Sequence, residues 1–161
     1  MAKIMQLSEH VANMIAAGEV VEGPLSVVKE LVENAIDAHA TNIAIHLVES
    51  GISKIEIVDN GCGMDPIDAV MAFNRHATSK IKSAYDLASI NTLGFRGEAL
   101  SSIAAVARVE LITKTKDSLT GTRFLLEGGK EIAFEEVGAP DGTTFIVRDI
   151  FFNTPVRRKF L

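Results

Sequence analysis

Glu30, Glu33, Asn34 and Asp37 fall at i, i+3, i+4 and i+7 of one stretch. If that stretch is helical, Glu30 and Asn34 stack one turn apart. A solvated polar face has the same spacing, and that reading stays open. The row could also form a magnesium–phosphate site. Magnesium takes oxygen ligands in octahedral geometry and keeps several waters, and an Asn carbonyl suits it where phosphates already bring the negative charge. A carboxylate one turn away could hold and deprotonate an attacking water, as a general base for phosphoanhydride hydrolysis.

A second cluster is Asp59-x-Gly61-x-Gly63 at the end of an apolar run. Gly61 and Gly63 permit positive φ and a close backbone approach to a ligand, although glycine turns at strand ends are common. Asp59 is the unusual residue, because a carboxylate beside apolar residues is costly without a partner. The exocyclic amine of a purine would supply one, at about 1.5–3 kcal/mol for a charge-assisted hydrogen bond. A third cluster joins Arg75-His76-Ala77-Thr78-Ser79-Lys80 to Leu93-Gly94-Phe95-Arg96-Gly97-Glu98-Ala99-Leu100. Cations and hydroxyls in a loop, then glycines opening a helix, suit an anion held by backbone N–H groups. A surface loop with an ordinary cap fits equally. Gly142-Thr143-Thr144 starts a late strand, and Arg157-Arg158-Lys159 is either a solvated helix face or a nucleic-acid contact.

These residues need elements to hold them. Val27, Val28, Leu31, Val32, Ala35 and Ile36 predict a helix over 26–38 with Ser26 as its cap and the Glu30/Asn34 row opposite the apolar stripe. Val11 to Val21 is helix-like but interrupted by Gly18. Ile43, Ile45 and Leu47 alternate, as do Ile55 and Ile57, which predicts an antiparallel hairpin around Glu49-Ser50-Gly51. Asp65 should cap a helix with Pro66 at its first position. Residues 74–94 form a long loop with a short helix near Tyr85 to Ile90, and Glu98 to Ala107 a buried helix. Strands follow at Arg108–Lys114, Thr122–Glu127, Glu131–Glu136 and Thr143–Asp149, with Gly128-Gly129 as a two-residue turn. The order is helices, hairpin, helices, meander. That is α+β, with helices on one face of a mostly antiparallel sheet, and no strict βαβ alternation supports a Rossmann or P-loop fold.

The chain has 161 residues, 47% of them hydrophobic and 23% charged, which suits one folded domain and excludes disorder. One cysteine, Cys62, excludes a disulfide framework. The net charge of -5 argues against a chain-wide nucleic-acid footprint. It does not exclude an anionic ligand, since charges ~20 Å apart in water interact by only about 0.2 kcal/mol. The absence of a signal peptide or a long apolar run leads to the expectation of a cytoplasmic protein.

Taken in order, Glu30-x-x-x-Asn34, Asp59-x-Gly61-x-Gly63, Gly94-Phe95-Arg96-Gly97 and Gly142-Thr143-Thr144 resemble the Bergerat-type (GHKL) ATPases. Within them the chain resembles the MutL mismatch-repair family, through Ile15-Ala16-Ala17-Gly18-Glu19-Val20-Val21, Val28-Lys29-Glu30-Leu31-Val32-Glu33-Asn34, Arg75-His76-Ala77-Thr78-Ser79-Lys80 and Asn153-Thr154-Pro155. The resemblance implies a Bergerat sandwich that binds Mg-ATP, with Glu30 as general base and Asn34 as magnesium ligand. Asp59 would accept from the adenine amine, near Gly61, Gly63, Met64 and Thr144. Thr78, Ser79 and Lys80, with Leu93, Gly94, Phe95, Arg96, Gly97 and Glu98, would cover the phosphates. It further implies nucleotide-dependent homodimers, a MutS-type mismatch sensor and DNA as partners, no membrane, and a place at the bacterial nucleoid. Two departures stand out: Gly23 where such proteins usually carry Arg, and His39 where glycine is usual. Residues 1–161 read as one ATPase domain of a longer protein without its transducer and C-terminal domains, and the missing lysine of the following domain implies weak binding and slow turnover. The competing functions are a topoisomerase-, chaperone- or histidine-kinase-type GHKL enzyme and a nucleotide-gated dimerisation module without useful catalysis.

Overall fold

The computed structural model describes residues 21–73 and 99–161. The expected elements at Val11–Val21 (up to residue 20), the loop 74–94 and its short helix lie outside the described residues.

Helix α1 spans Pro24–Asp37. It begins two residues earlier than the predicted start. Gly23 is the N-cap and makes no side-chain cap bond, so Ser26 is not the cap. Pro24 decides the start, because its fixed φ and missing N–H suit the first helical position. Strands β1 (Ile43–Val48) and β2 (Lys54–Asp59) form the hairpin around a short 3-10 turn at Glu49–Gly51. Helix α2, Pro66–Ala72, has the expected cap: Asp65 Oδ1 accepts from the Asp68 amide at 2.8 Å. Helical backbone over 99–106, here α3, carries small apolar residues and is buried almost throughout. Strands β3 (Arg108–Lys114), β4 (Gly121–Glu127), β5 (Lys130–Val137) and β6 (Gly142–Arg148) follow, then a five-residue helix α4, Pro155–Lys159. The β4–β5 turn is Gly128-Gly129 with φ of 58° and 82°, the left-handed pair a tight hairpin needs.

The six strands form one sheet in the order β1-β2-β6-β3-β4-β5. Every described pairing is antiparallel. The last strand of the meander thus returns to the middle, between β2 and β3. Strand alternation then separates two faces. Ile55, Ile57, Val109, Leu111, Phe124, Leu126, Phe145 and Val147 point to one side and pack with Val27, Leu31, Ile103 and Val106 of the helices. The other side carries charges. Glu110 there bonds Arg123 at 2.6 Å and Arg148 at 3.2 Å, and Arg123 also reaches Glu135 at 2.8 Å. Ile45 and Leu47 lie opposite Ile57 and Ile55, on the same side as the core, yet remain about half exposed because β1 is the edge strand.

The basic triplet at the chain's end is largely tied inward. Arg157 Nη2 donates to the Val21 carbonyl at 2.7 Å while its guanidinium stacks on Phe151, and Arg158 Nη1 donates to the Ile150 carbonyl at 2.9 Å.

Candidate functional site

The inner face of the sheet is apolar except at one end. Two rows across β2, β6 and β3 read Ile55–Val147–Val109 and Ile57–Phe145–Leu111; the next reads Asp59–Thr143–Thr113. All three polar residues are buried. The Asp59 carboxylate accepts from the Gly61 amide at 2.8 Å and from the backbone of Thr143. Burial pushes the Asp59 carboxyl above the ordinary aspartate value, and these two backbone bonds only partly offset it.

The loop after β2 is pinned on three sides. Cys62 N–H donates to the Ala38 carbonyl at the end of α1 (2.9 Å), and Met64 N–H to Thr113 Oγ1 (2.9 Å). Asn60 Oδ1 accepts from the amides of Thr41 and Asn42 at 2.8 and 2.9 Å. Gly63 has φ +69°, and a Cβ there would sit 2.0 Å from the Lys114 carbonyl oxygen, so only glycine passes.

Between this loop, α1, α2 and α3 lies a cavity of about 280 Å³. Ala38, Met64, Ala72, Leu100 and Phe145 give it apolar walls; Asn34, Asp37, Asp59 and Thr143 supply the polar groups, with Cys62 and Gly63 at the loop. A slot with apolar faces and a buried carboxylate at its inner end fits a flat heteroaromatic base that carries an amine. Glu30 lines a second recess of about 310 Å³ with Glu22, Ser26, Lys29, Glu33, Val21, Ala99 and Ile103. Glu30 and Asn34 are one turn apart on α1, so one residue of the pair faces each recess.

Three expectations need correction. The Glu30/Asn34 row does not lie opposite the apolar stripe. The buried residues of α1 are Val27, Leu31 and Ala35, whereas Ile36 is 58% exposed. Asn34 is two turns beyond Val27 and adjoins Leu31, so it belongs to the inward side, and Glu30 borders it. Thr144 is also misplaced. It pairs with Val58 and Ile112 on the outer face, and Thr143 lines the cavity. Phe145 and Val147 must face the core, and alternation then turns Thr143 inward and Thr144 outward. Gly61 does not line the cavity but holds Asp59. Thr113 was missed altogether, since its role depends on strand order. Thr78, Ser79, Lys80, Leu93, Gly94, Phe95, Arg96, Gly97 and Glu98 lie outside the described residues.

The donor set bears on a metal. Among the described residues no group of three or more His, Cys, Asp or Glu side chains could hold one. Asn34 has a buried amide nitrogen without a hydrogen-bond partner among them. That nitrogen is a donor and suits a ligand phosphate oxygen, while the oxygen of the same amide is the atom that could take a metal held mainly by ligand phosphates and water.

Residues 22–138 match the family described as histidine kinase-, DNA gyrase B- and HSP90-like ATPases, and the chain belongs to that family. It is an ATPase domain of the GHKL fold. Within the family its likeness is to the N-terminal ATPase domain of MutL proteins. Over 161 residues it is 64% identical to the DNA mismatch repair protein MutL of Agathobacter rectalis and 58% identical to that of Caldanaerobacter subterraneus subsp. tengcongensis, covering 25% and 27% of those proteins. It thus spans about a quarter of the length of the relatives it matches. Among solved structures, the N-terminal domain of a DNA repair protein superposes with a TM-score of 0.79 at 37% identity, covering 96% of this chain and 45% of that one. The Aquifex aeolicus MutL ATPase domain complexed with ADP gives 0.68 at 37% identity, covering 88% and 48%.

Proposed function

We propose that the 280 Å³ cavity takes the adenine of Mg-ATP and that the phosphates extend along α1 past Asn34 toward Glu30. The observation that carries this reading is Asp59: a buried carboxylate, acceptor-only when ionised, at the inner end of an apolar slot. Asn34 would hold Mg²⁺ through its amide oxygen. Bound there, the metal neutralises phosphate charge and orients the leaving group. Glu30 accepts the proton of the attacking water as general base. The phosphate contacts that the resemblance implies for Thr78, Ser79, Lys80 and Leu93 to Glu98 belong to the same proposal.

The MutL relatives support a role for the whole protein in DNA mismatch repair, with ATP binding and slow hydrolysis gating homodimerisation and the link from a MutS-type sensor to repair on DNA. A cytoplasmic, nucleoid-associated place follows from that role. Among the described residues, no helix is long and apolar enough to cross a membrane.

Calorimetric titration of Mg-ATP, paired with phosphate release, tests the site. Asp59→Ala should weaken binding roughly 10- to 150-fold, which is the worth of one charge-assisted hydrogen bond. Glu30→Ala should keep binding and lose about 100-fold or more in turnover. Equal binding by Asp59→Ala removes the adenine from Asp59. Turnover surviving in Glu30→Ala removes Glu30 as the base, and an inert parent that still binds nucleotide favours the pure dimerisation module.

A further inference from the structure

We propose that Thr113, which does not line the cavity, fixes the hydrogen-bond polarity of Thr143 and so makes the base site select a 6-amino over a 6-oxo purine. The proposal rests on reading the cavity as a nucleotide-base site.

The Thr113 side chain is fully buried, and its hydroxyl has three neighbours. The Met64 amide donates to it at 2.9 Å, the Gly142 carbonyl oxygen lies at 3.0 Å, and Thr143 Oγ1 lies at 2.9 Å. A hydroxyl has one proton and two lone pairs. The Gly142 carbonyl has no proton, so the proton between it and Thr113 comes from Thr113. Any other assignment leaves two acceptor oxygens facing each other at 3.0 Å in a dry interior. The Met64 amide uses one lone pair. The second receives the proton of Thr143. All three contacts are satisfied only in this arrangement.

The consequence falls on the cavity wall. With its proton committed to Thr113, Thr143 has only lone pairs to offer the cavity it lines. Its neighbour across the β2–β6 pair, Asp59, also only accepts when ionised. Two adjacent acceptors match an exocyclic amine, which has two protons to give. A 6-oxo base brings a carbonyl lone pair to the same wall and is rejected. Asp59 alone would favour an amine; Thr113 prevents the neighbouring hydroxyl from turning round to serve a carbonyl. Thr113 is therefore a positioning residue, acting through Thr143.

The test is the ratio of Mg-ATP to Mg-ITP affinity in the full-length protein, since ITP replaces the amine by a carbonyl. Thr113→Val removes the proton sink while keeping the side-chain shape. The Thr143 hydroxyl then rotates toward the cavity as a donor. The ATP/ITP preference should fall at least tenfold, with folding verified by circular dichroism and the urea midpoint, and Thr113→Ser should restore it. A merely structural loss weakens both nucleotides alike and leaves the ratio unchanged; that result overturns the proposal. Should Thr113→Val not fold, Thr143→Val carries the test, since it deletes the acceptor itself: a tenfold smaller ratio supports the proposal and an unchanged one overturns it. A parent that binds ATP and ITP equally overturns the polarity argument while leaving a nucleotide site. A parent that binds neither overturns the nucleotide reading and this inference together.

Discussion

Asp59 concentrates the chemistry of the site in one carboxyl group. Its burial raises its pKa, and the backbone bonds from Gly61 and Thr143 restrain that rise. The ionised form is the one that accepts from an amine. As pH falls through the raised value, the carboxylate gains a proton and ceases to be acceptor-only. ATP affinity should therefore decline on acidification, beginning at a higher pH than an ordinary aspartate would require. Titrations from pH 7.5 to 5 would reveal it. Asp59→Asn supplies the control, because the phosphates titrate equally in both proteins. A parallel pH profile for the two would assign the decline to the phosphates.

The polar loop between β2 and α2 works because neighbouring elements hold it from outside. Ala38 at the α1 terminus, Thr41 and Asn42 ahead of β1, and Thr113 of β3 together fix a stretch with no regular structure of its own. Gly63 is its tightest point. Gly63→Ala combines an unfavourable positive φ with a Cβ 2.0 Å from the Lys114 oxygen, and should cost about 2 kcal/mol or more of stability, with ATP binding reduced in parallel. Urea denaturation checks the first part. At the same scale, α1 places Asn34 at the cavity wall, so the polar row is a partly buried face and only its last residue, Asp37, is exposed. The local spacing was legible. The side it faces was misjudged, because Ile36 is apolar yet exposed and drew the apparent stripe round the helix.

The sheet as a whole supports a one-sided core. Its outer face is held by charge pairs around Glu110, whereas the inner face closes on α1 and α3 through residues such as Leu111, fully buried between β6 and β4. Leu111→Ala should cost about 2–5 kcal/mol, because the rigid sheet cannot collapse into the void. The loss should appear as a lower urea midpoint with an unchanged slope. Leu111 does not line the cavity, so nucleotide binding should weaken only as far as the folded population does.

The sequence by itself determined the elements, though not which side of α1 or which threonine of β6 faces the site. Pro24 and Pro66 begin helices, Asp65 caps one, Gly128-Gly129 turns a hairpin, and period-two apolar residues mark the strands, because each of these is set by the geometry of a few adjacent residues. It also singled out Glu30, Asn34 and Asp59 by residue type and spacing. Strand order was decided only in three dimensions. Placing β6 between β2 and β3 brings Asp59, Thr143 and Thr113 into one row from three separate parts of the chain. Backbone pairing between distant strands leaves no local signature, and a shift of one residue exchanges Thr143 for Thr144. The path of the Thr113 proton, and with it the polarity of the cavity wall, exists only once that row has formed.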